Sequence, residues 1–264
     1  MIIKRGRKAQ VTVFIITGLI ILIAAAMYFY LSSAGDEPAY KEEKASGIAA
    51  PVQSFVKECV RRTGEDAVLW LGMQGGYYSP AEPVFPFGVF NVPVYYYEGK
   101  LQNVPDKAIM EEQLAEYLSG NLGFCLNDFE TFASQGYTFE TGNISSVVLV
   151  GEKKTMFSVN FPVTASKGNA RESISRFSAE VPVELPKMLG IVEGYLAAQQ
   201  RLPDSFRLKH LMDLSVDNKV ITETIEFRDG YVMFNIIDPD TQVRDMNYSF
   251  VFMVKYSWDD IAEG

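Results

Sequence analysis

The chain has two cysteines, one histidine and, through its first 32 residues, no acidic side chain. Two Cys exclude a disulfide-dense mini-scaffold and a Cys-rich zinc module, and one His excludes a multi-His metal site within a single chain. There is no C-x-x-C pair for dithiol chemistry and no G-x-S-x-G elbow. The 20 Gly and 12 Pro in 264 residues are ordinary usage, which excludes collagen-like and low-complexity chains. The formal charge is −9, from 24 Lys+Arg against 33 Asp+Glu, and that sign argues against a nucleic-acid partner, because phosphate binding needs clustered cations. No catalytic, cofactor-binding or metal-binding motif emerges. What is present is a 48% apolar composition, enough for a real core, and an uneven distribution of charge.

Residues 1–10 carry Lys4, Arg5, Arg7 and Lys8. Residues 11–31, VTVFIITGLIILIAAAMYFYL, carry no charge at all. As a helix these 21 residues would span ~31 Å, close to the hydrocarbon thickness of a bilayer. Tyr28 and Tyr30 stand near the far end, where rings with polar tips suit the interface. The pattern predicts an N-terminal transmembrane helix with its basic foot in the cytoplasm. The chain after it, with 20 basic against 33 acidic residues, has a net charge of −13 and is then extracytoplasmic. The expected location is the cell membrane, single-pass, with the lipid bilayer as partner of residues 11–31. Ser32-Ser33-Ala34 before Gly35 also has the small residues that a secretory peptidase reads, although the apolar run exceeds a usual signal core of ~7–15 residues.

Arg7-Lys8-Ala9-Gln10-Val11, directly before the uncharged run, resembles the class III signal of archaeal type IV pilin-like proteins. That resemblance implies cleavage by a prepilin peptidase between Ala9 and Gln10, leaving the apolar helix on the mature chain. The stretch QVTVFII is also similar to the start of many uncharacterised archaeal single-pass membrane proteins. The likeness covers about the first 30 residues. Bacterial type IV pilins carry a Glu five residues into the mature chain, whereas Phe14 stands there in this sequence.

Beyond the membrane segment, residues 32–46 are small, polar and charged and read as a linker. Residues 47–264 read as one α+β domain, with 47–135 mainly helical and 136–264 mainly β. Val52, Phe55, Val56, Cys59 and Val60 recur at helical spacing, and Thr63 with Asp66 predicts a fresh cap for a second segment over 65–73, stopped by Gly75-Gly76. Asp106 opens a helix with Met110, Leu114, Tyr117 and Leu118 as its stripe and Gly120 as its end. A further stripe is Leu122, Cys125, Leu126, Phe129 and Phe132. The Pro-rich, aromatic run 84–97 reads as an edge strand or irregular wall. After Gly136 the period becomes two, predicting strands over 144–150, 155–163 and 174–183. Pro186 then starts a helix, a short helix covers 206–214, 219–227 and 231–237 form a hairpin through Arg228-Asp229-Gly230, and 248–256 is a last strand. The expected architecture is helices packed on one face of an antiparallel sheet.

Candidate residues are few. Cys59 and Cys125 could form one bridge, or remain two buried thiols. His210 sits beside Lys209 and Arg207 and reads as a surface or partly packed side chain, with a triad still open. Asp238, Asp240 and Asp245 surround a Pro-Asp turn, but Val243 and Ser249 stand where an EF-hand needs Gly and Glu, so a solvated turn is expected. Asn143-Ile144-Ser145 and Asn247-Tyr248-Ser249 match the N-glycosylation pattern. Tyr77-Tyr78 and Tyr95-Tyr96-Tyr97 are either wall packing or a contact surface for carbohydrate or protein, alternation burying about half of each run. Two functional readings follow. One is a structural or interaction protein, a pilin-like or surface-assembly component partnered by other membrane or surface proteins. The other is a membrane-tethered hydrolase or ligand-binding domain.

Overall fold

The computed structural model describes residues 16–27, 45–97, 99–203 and 205–257. The leader with Ala9 and Gln10, both ends of the expected spanning segment and most of the expected linker lie outside these residues. The chain divides into two units, residues 1–41 and 42–264. In the first, residues 16–27 form helix α1, and its apolar side chains are all exposed, from Ile16 at 54% to Leu22 at 69%. Among the described residues no helix is long and apolar enough to cross a membrane.

The second unit is α+β and is organised by helix α2 (Ala49–Met73). Val52, Val56, Cys59, Val60, Ala67, Val68 and Leu71 make its buried stripe. The expected break at Thr63 does not occur. Thr63 is buried within the helix, and Gly64 lets the backbone approach the Phe157 ring so closely that an added Cβ would lie 3.0 Å from it. Close packing, rather than a cap, explains this polar-glycine pair. Gly75 (φ +53°) and Gly76 (φ +86°) end α2 in the left-handed region, and Gly76 N–H donates back to Leu71 O at 2.8 Å.

Two sheets replace the single sheet expected from sequence. The first contains β1 (Val84–Phe87), β2 (Phe90–Tyr97), β3 (Lys100–Leu101), β8 (Ile221–Glu226), β9 (Tyr231–Val243) and β10 (Met246–Lys255). Its order is β1-β2-β10-β9-β8, with β3 on β2. It is mixed, because β2 runs parallel to β10 while the other pairs are antiparallel. The run 84–97 is therefore not only an edge: β1 is, but β2 is an interior strand. The second sheet contains β4 (Tyr137–Thr141), β5 (Ser145–Val150), β6 (Thr155–Lys167) and β7 (Ala170–Val181). β4 and β5 lie end to end along one side of β6, and β7 lies along the other.

Helix α3 (Lys107–Leu126) starts where sequence places it, with Asp106 Oδ1 accepting from Ile109 N–H at 2.8 Å. It runs past Gly120, because Leu122 and Leu126 continue the buried stripe. A four-residue helix, α4 (Glu130–Ala133), follows. Helix α5 (Leu185–Arg201) opens on Pro186, and α6 (Leu208–Asn218) packs against α5 and β8. α2 packs on α3, on β6 and β7 of one sheet and on β10 of the other, so a single helix of ~37 Å links both sheets. One large core cluster runs through the unit. A satellite cluster of Val92, Val94, Met233, Val251 and Met253 fills the opposite face of the mixed sheet.

Candidate functional site

Cys59 of α2 and Cys125 of α3 are joined by a disulfide with Cα atoms 5.5 Å apart. The bridge ties the two helices together just before α3 ends. Beyond it, Asn127, Asp128 and Phe129 all have positive φ (43°, 48° and 58°). Three successive non-glycine residues in the left-handed region are costly, and for Phe the conformation is a true outlier. The surroundings hold Phe129 in place: its ring stacks on Phe139 at 4.3 Å and meets Phe55, Phe132 and Phe161 at 6.0–6.5 Å. Against this turn lies an open cleft of about 650 Å³, floored by Phe129, Phe139 and Phe161 and rimmed by Ser119, Asp128 and Asn143. Neither the strain nor the cleft was legible from sequence, since nothing in Asn-Asp-Phe marks three left-handed residues.

Both glycosylation candidates are exposed. Asn143 stands on the cleft rim between β4 and β5, and Asn247 near the start of β10.

A second concavity of about 610 Å³ is lined by Arg61, Arg62, Glu65, Gln242, Arg244 and Asp245. Its charges are already engaged. Arg244, in the β9–β10 turn, donates from Nη2 to Arg62 O at 2.9 Å and to Asp66 Oδ2 at 3.0 Å. Arg61 donates to Glu58 and Glu65, and Arg62 to Glu58. Hydrogen bonds from Arg61 and then Arg62 lower the Glu58 pKa to about 2. The arrangement holds a hairpin tip to α2 and leaves no cation uncommitted.

The acidic trio is not the solvated turn expected. Asp238 is 1% exposed. It pairs with Lys187 Nζ at 2.8 Å and accepts from Asp240 N–H and Thr241 Oγ1, each at 3.1 Å. β9 continues beyond it, and the reversal comes instead at Arg244-Asp245, both left-handed. Among the described residues no group of three His, Cys, Asp or Glu is placed to hold a metal ion.

His210 is half-buried on α6, with Nε2 3.2 Å from Gly194 O. It sits at the α5–α6 contact beside a shallow depression shared with Ser205, Arg207 and Asp213. Among the described residues no side-chain hydroxyl or carboxylate hydrogen-bonds the His210 ring.

The tyrosine runs are mostly interior. Tyr77 is 8% exposed, and Tyr95 and Tyr96 are both fully buried. Simple alternation fails because the β2–β10 register shifts between Val94 and Tyr96, so Tyr95 and Tyr96 both join the main core. Tyr78 instead belongs to a half-buried aromatic group with Trp70 of α2, Tyr117 of α3 and Phe90 of β2, of which Trp70 and Phe90 were not singled out from sequence.

Outward-facing apolar side chains gather on α6 and β8. Leu208, Met212 and Val216 repeat every four residues along α6 at 52%, 59% and 77% exposure. Ile221 and Ile225 of β8 are 51% and 47% exposed. No protein-family model, no curated protein and no solved structure matches this chain.

Proposed function

We propose that the chain is a single-pass membrane protein that displays its acidic α+β unit outside the cytoplasm, in a structural or interaction role of the pilin-like or surface-assembly kind. The observation that carries the reading is α1: its apolar side chains are all exposed, and it lies inside an uncharged 21-residue run preceded by four cations. A helix apolar on every side asks for a lipid or protein environment. The Cys59–Cys125 bridge supports an extracytoplasmic location, because oxidising compartments are where such bonds persist. The ligand-binding alternative has its own support in the strained cleft at 127–129.

Protease treatment of intact cells tests the topology. Digestion of the chain beyond residue 46, with a cytosolic control spared, is the expected result; protection of both reverses the orientation. Mass spectrometry of the mature N-terminus then reads the processing. A start at Gln10 supports pilin-like cleavage, Gly35 a secreted product, and Met1 or Ile2 an uncleaved anchor.

A further inference from the structure

The free margin of the mixed sheet is β8. Its register with β9 is unbroken from Ile221↔Ile237 to Glu226↔Val232, and among the described residues no strand pairs with its other side. Exposed edges are usually blunted by proline, bulges, charged side chains (lysine above all) or brevity. β1, at the opposite margin, follows this rule: it is four residues long and contains Pro86. β8, ITETIE, has no proline, glycine, lysine or bulge, and five of its six residues are exposed. Ile221, Glu223 and Ile225 share one face and Thr222, Thr224 and Glu226 the other. On the threonine side stands α6, tied by the 2.7 Å contact of Ser215 Oγ with Thr222 Oγ1 and showing its Leu208–Met212–Val216 stripe outward.

We infer that β8 accepts an added strand from a partner protein, an extended segment that places apolar residues beside Ile221 and Ile225 and basic residues beside Glu223 and Glu226. Backbone pairing would supply the affinity and the alternate side chains the selectivity. The charge of the occupant follows from the edge. β8 carries two exposed acids and no base, and Asp217 of α6 is exposed nearby, while Asp213 is already paired with Lys209 at 2.8 Å. A second copy fits poorly. Antiparallel self-pairing that sets Ile221 of one copy against Ile225 of the other brings Glu223 opposite Glu223, and like charges directly across a ladder are destabilising. The inference deepens the interaction role proposed above, and it does not depend on which side of the membrane the unit occupies.

The test uses the purified full chain in detergent, so that a wrong topology does not affect it. The probes are a labelled peptide Lys-Val-Thr-Lys-Thr-Val, the same peptide with both Lys replaced by Glu, and a scrambled Lys peptide. The Lys probe is expected to bind and to slow amide exchange over 221–226. The double variant E223K/E226K should bind it at least ten-fold more weakly and gain binding of the Glu probe. Both substitutions are at exposed positions, and an unchanged thermal unfolding midpoint checks the fold. An Ile225→Lys variant, which weakens the apolar contact while keeping both acids, should also lose the probe. Equal binding of all three peptides, absence of binding, or protection elsewhere than β8 overturns the proposal. So does protection of 221–226 that rises with protein concentration and no probe, which would assign the edge to a second copy.

Discussion

The phenol oxygens of Tyr195 on α5 and Tyr256 just after β10 lie 2.7 Å apart inside the core, and both reach Gln199 Oε1 within 3.3 Å. The same Gln199, fully buried, donates from Nε2 to the carbonyls of Leu202, Pro203 and Ser205 at 2.8–3.2 Å. One amide thus connects the last strand, α5 and the link to α6. Replacing Gln199 with Leu strands several acceptors and is expected to cost about 2–3 kcal/mol in chemical denaturation. Burial, outweighing the Tyr256 bond, raises the Tyr195 pKa to about 12. A raised pKa means that the folded state holds its proton longer than the unfolded chain. This contribution is therefore complete below about pH 10 and is lost as pH climbs toward about 12. Tyr195→Phe should flatten that alkaline loss in unfolding curves recorded across the range.

Lys187 and Asp238 join the start of α5 to the bulged part of β9. Removing the cation alone leaves a carboxylate that is 1% exposed, supported among the described residues by Thr241 and the Asp240 amide. Lys187→Met is expected to cost about 3 kcal/mol. The double variant K187M/D238N should recover part of that loss, because it removes the stranded charge. Equal destabilisation by the single and double variants in urea titrations would show that the pair is not coupled.

Glycines at similar helical positions should respond in opposite ways. A Cβ on Gly72 would land on the carbonyl oxygen of Ser249 and touch the Tyr248 ring, so Gly72→Ala must push α2 away from β10. A drop in the thermal midpoint is expected. Gly120 is exposed in the interior of α3 with nothing near its Cβ position. There Ala should stabilise by about 0.5–1 kcal/mol, since it restricts the unfolded chain and favours the helix.

The disulfide closes a separation of 66 residues. On the chain-entropy account such a loop contributes roughly 4 kcal/mol, all of it through the unfolded state. Replacing Cys59 and Cys125 together with Ala should lower stability by up to that amount, while the native chain shows no thiol reactive to alkylation. A quantitative thiol titration before and after reduction checks the second point.

Local chemistry was readable without a structure. Asp106 announced the start of α3 because its side chain satisfies an amide three residues on, and Pro186 announced α5 because its ring is already helical in φ. The Arg228-Asp229-Gly230 reversal was legible for the same kind of reason: its conformation is decided within a few residues. The one bridge that two cysteines permit is the one formed. The cap expected at Thr63 was misread because Gly64 answers to a ring on a distant strand, which no local pattern encodes.

Sequence by itself determined the α+β class, most of the helices and strands, and the separation of a cationic, uncharged-helical front from an acidic remainder, because periodicity and charge are properties of neighbours along the chain. Tertiary structure alone decided that the strands divide into two sheets, that β2 lies parallel to β10, that Tyr95 and Tyr96 turn inward together, that Asp238 is buried against Lys187, and that β8 has no second partner strand among the described residues. Each of these depends on pairing between segments far apart in sequence, where register and burial are set by the partner and not by the segment's own residues.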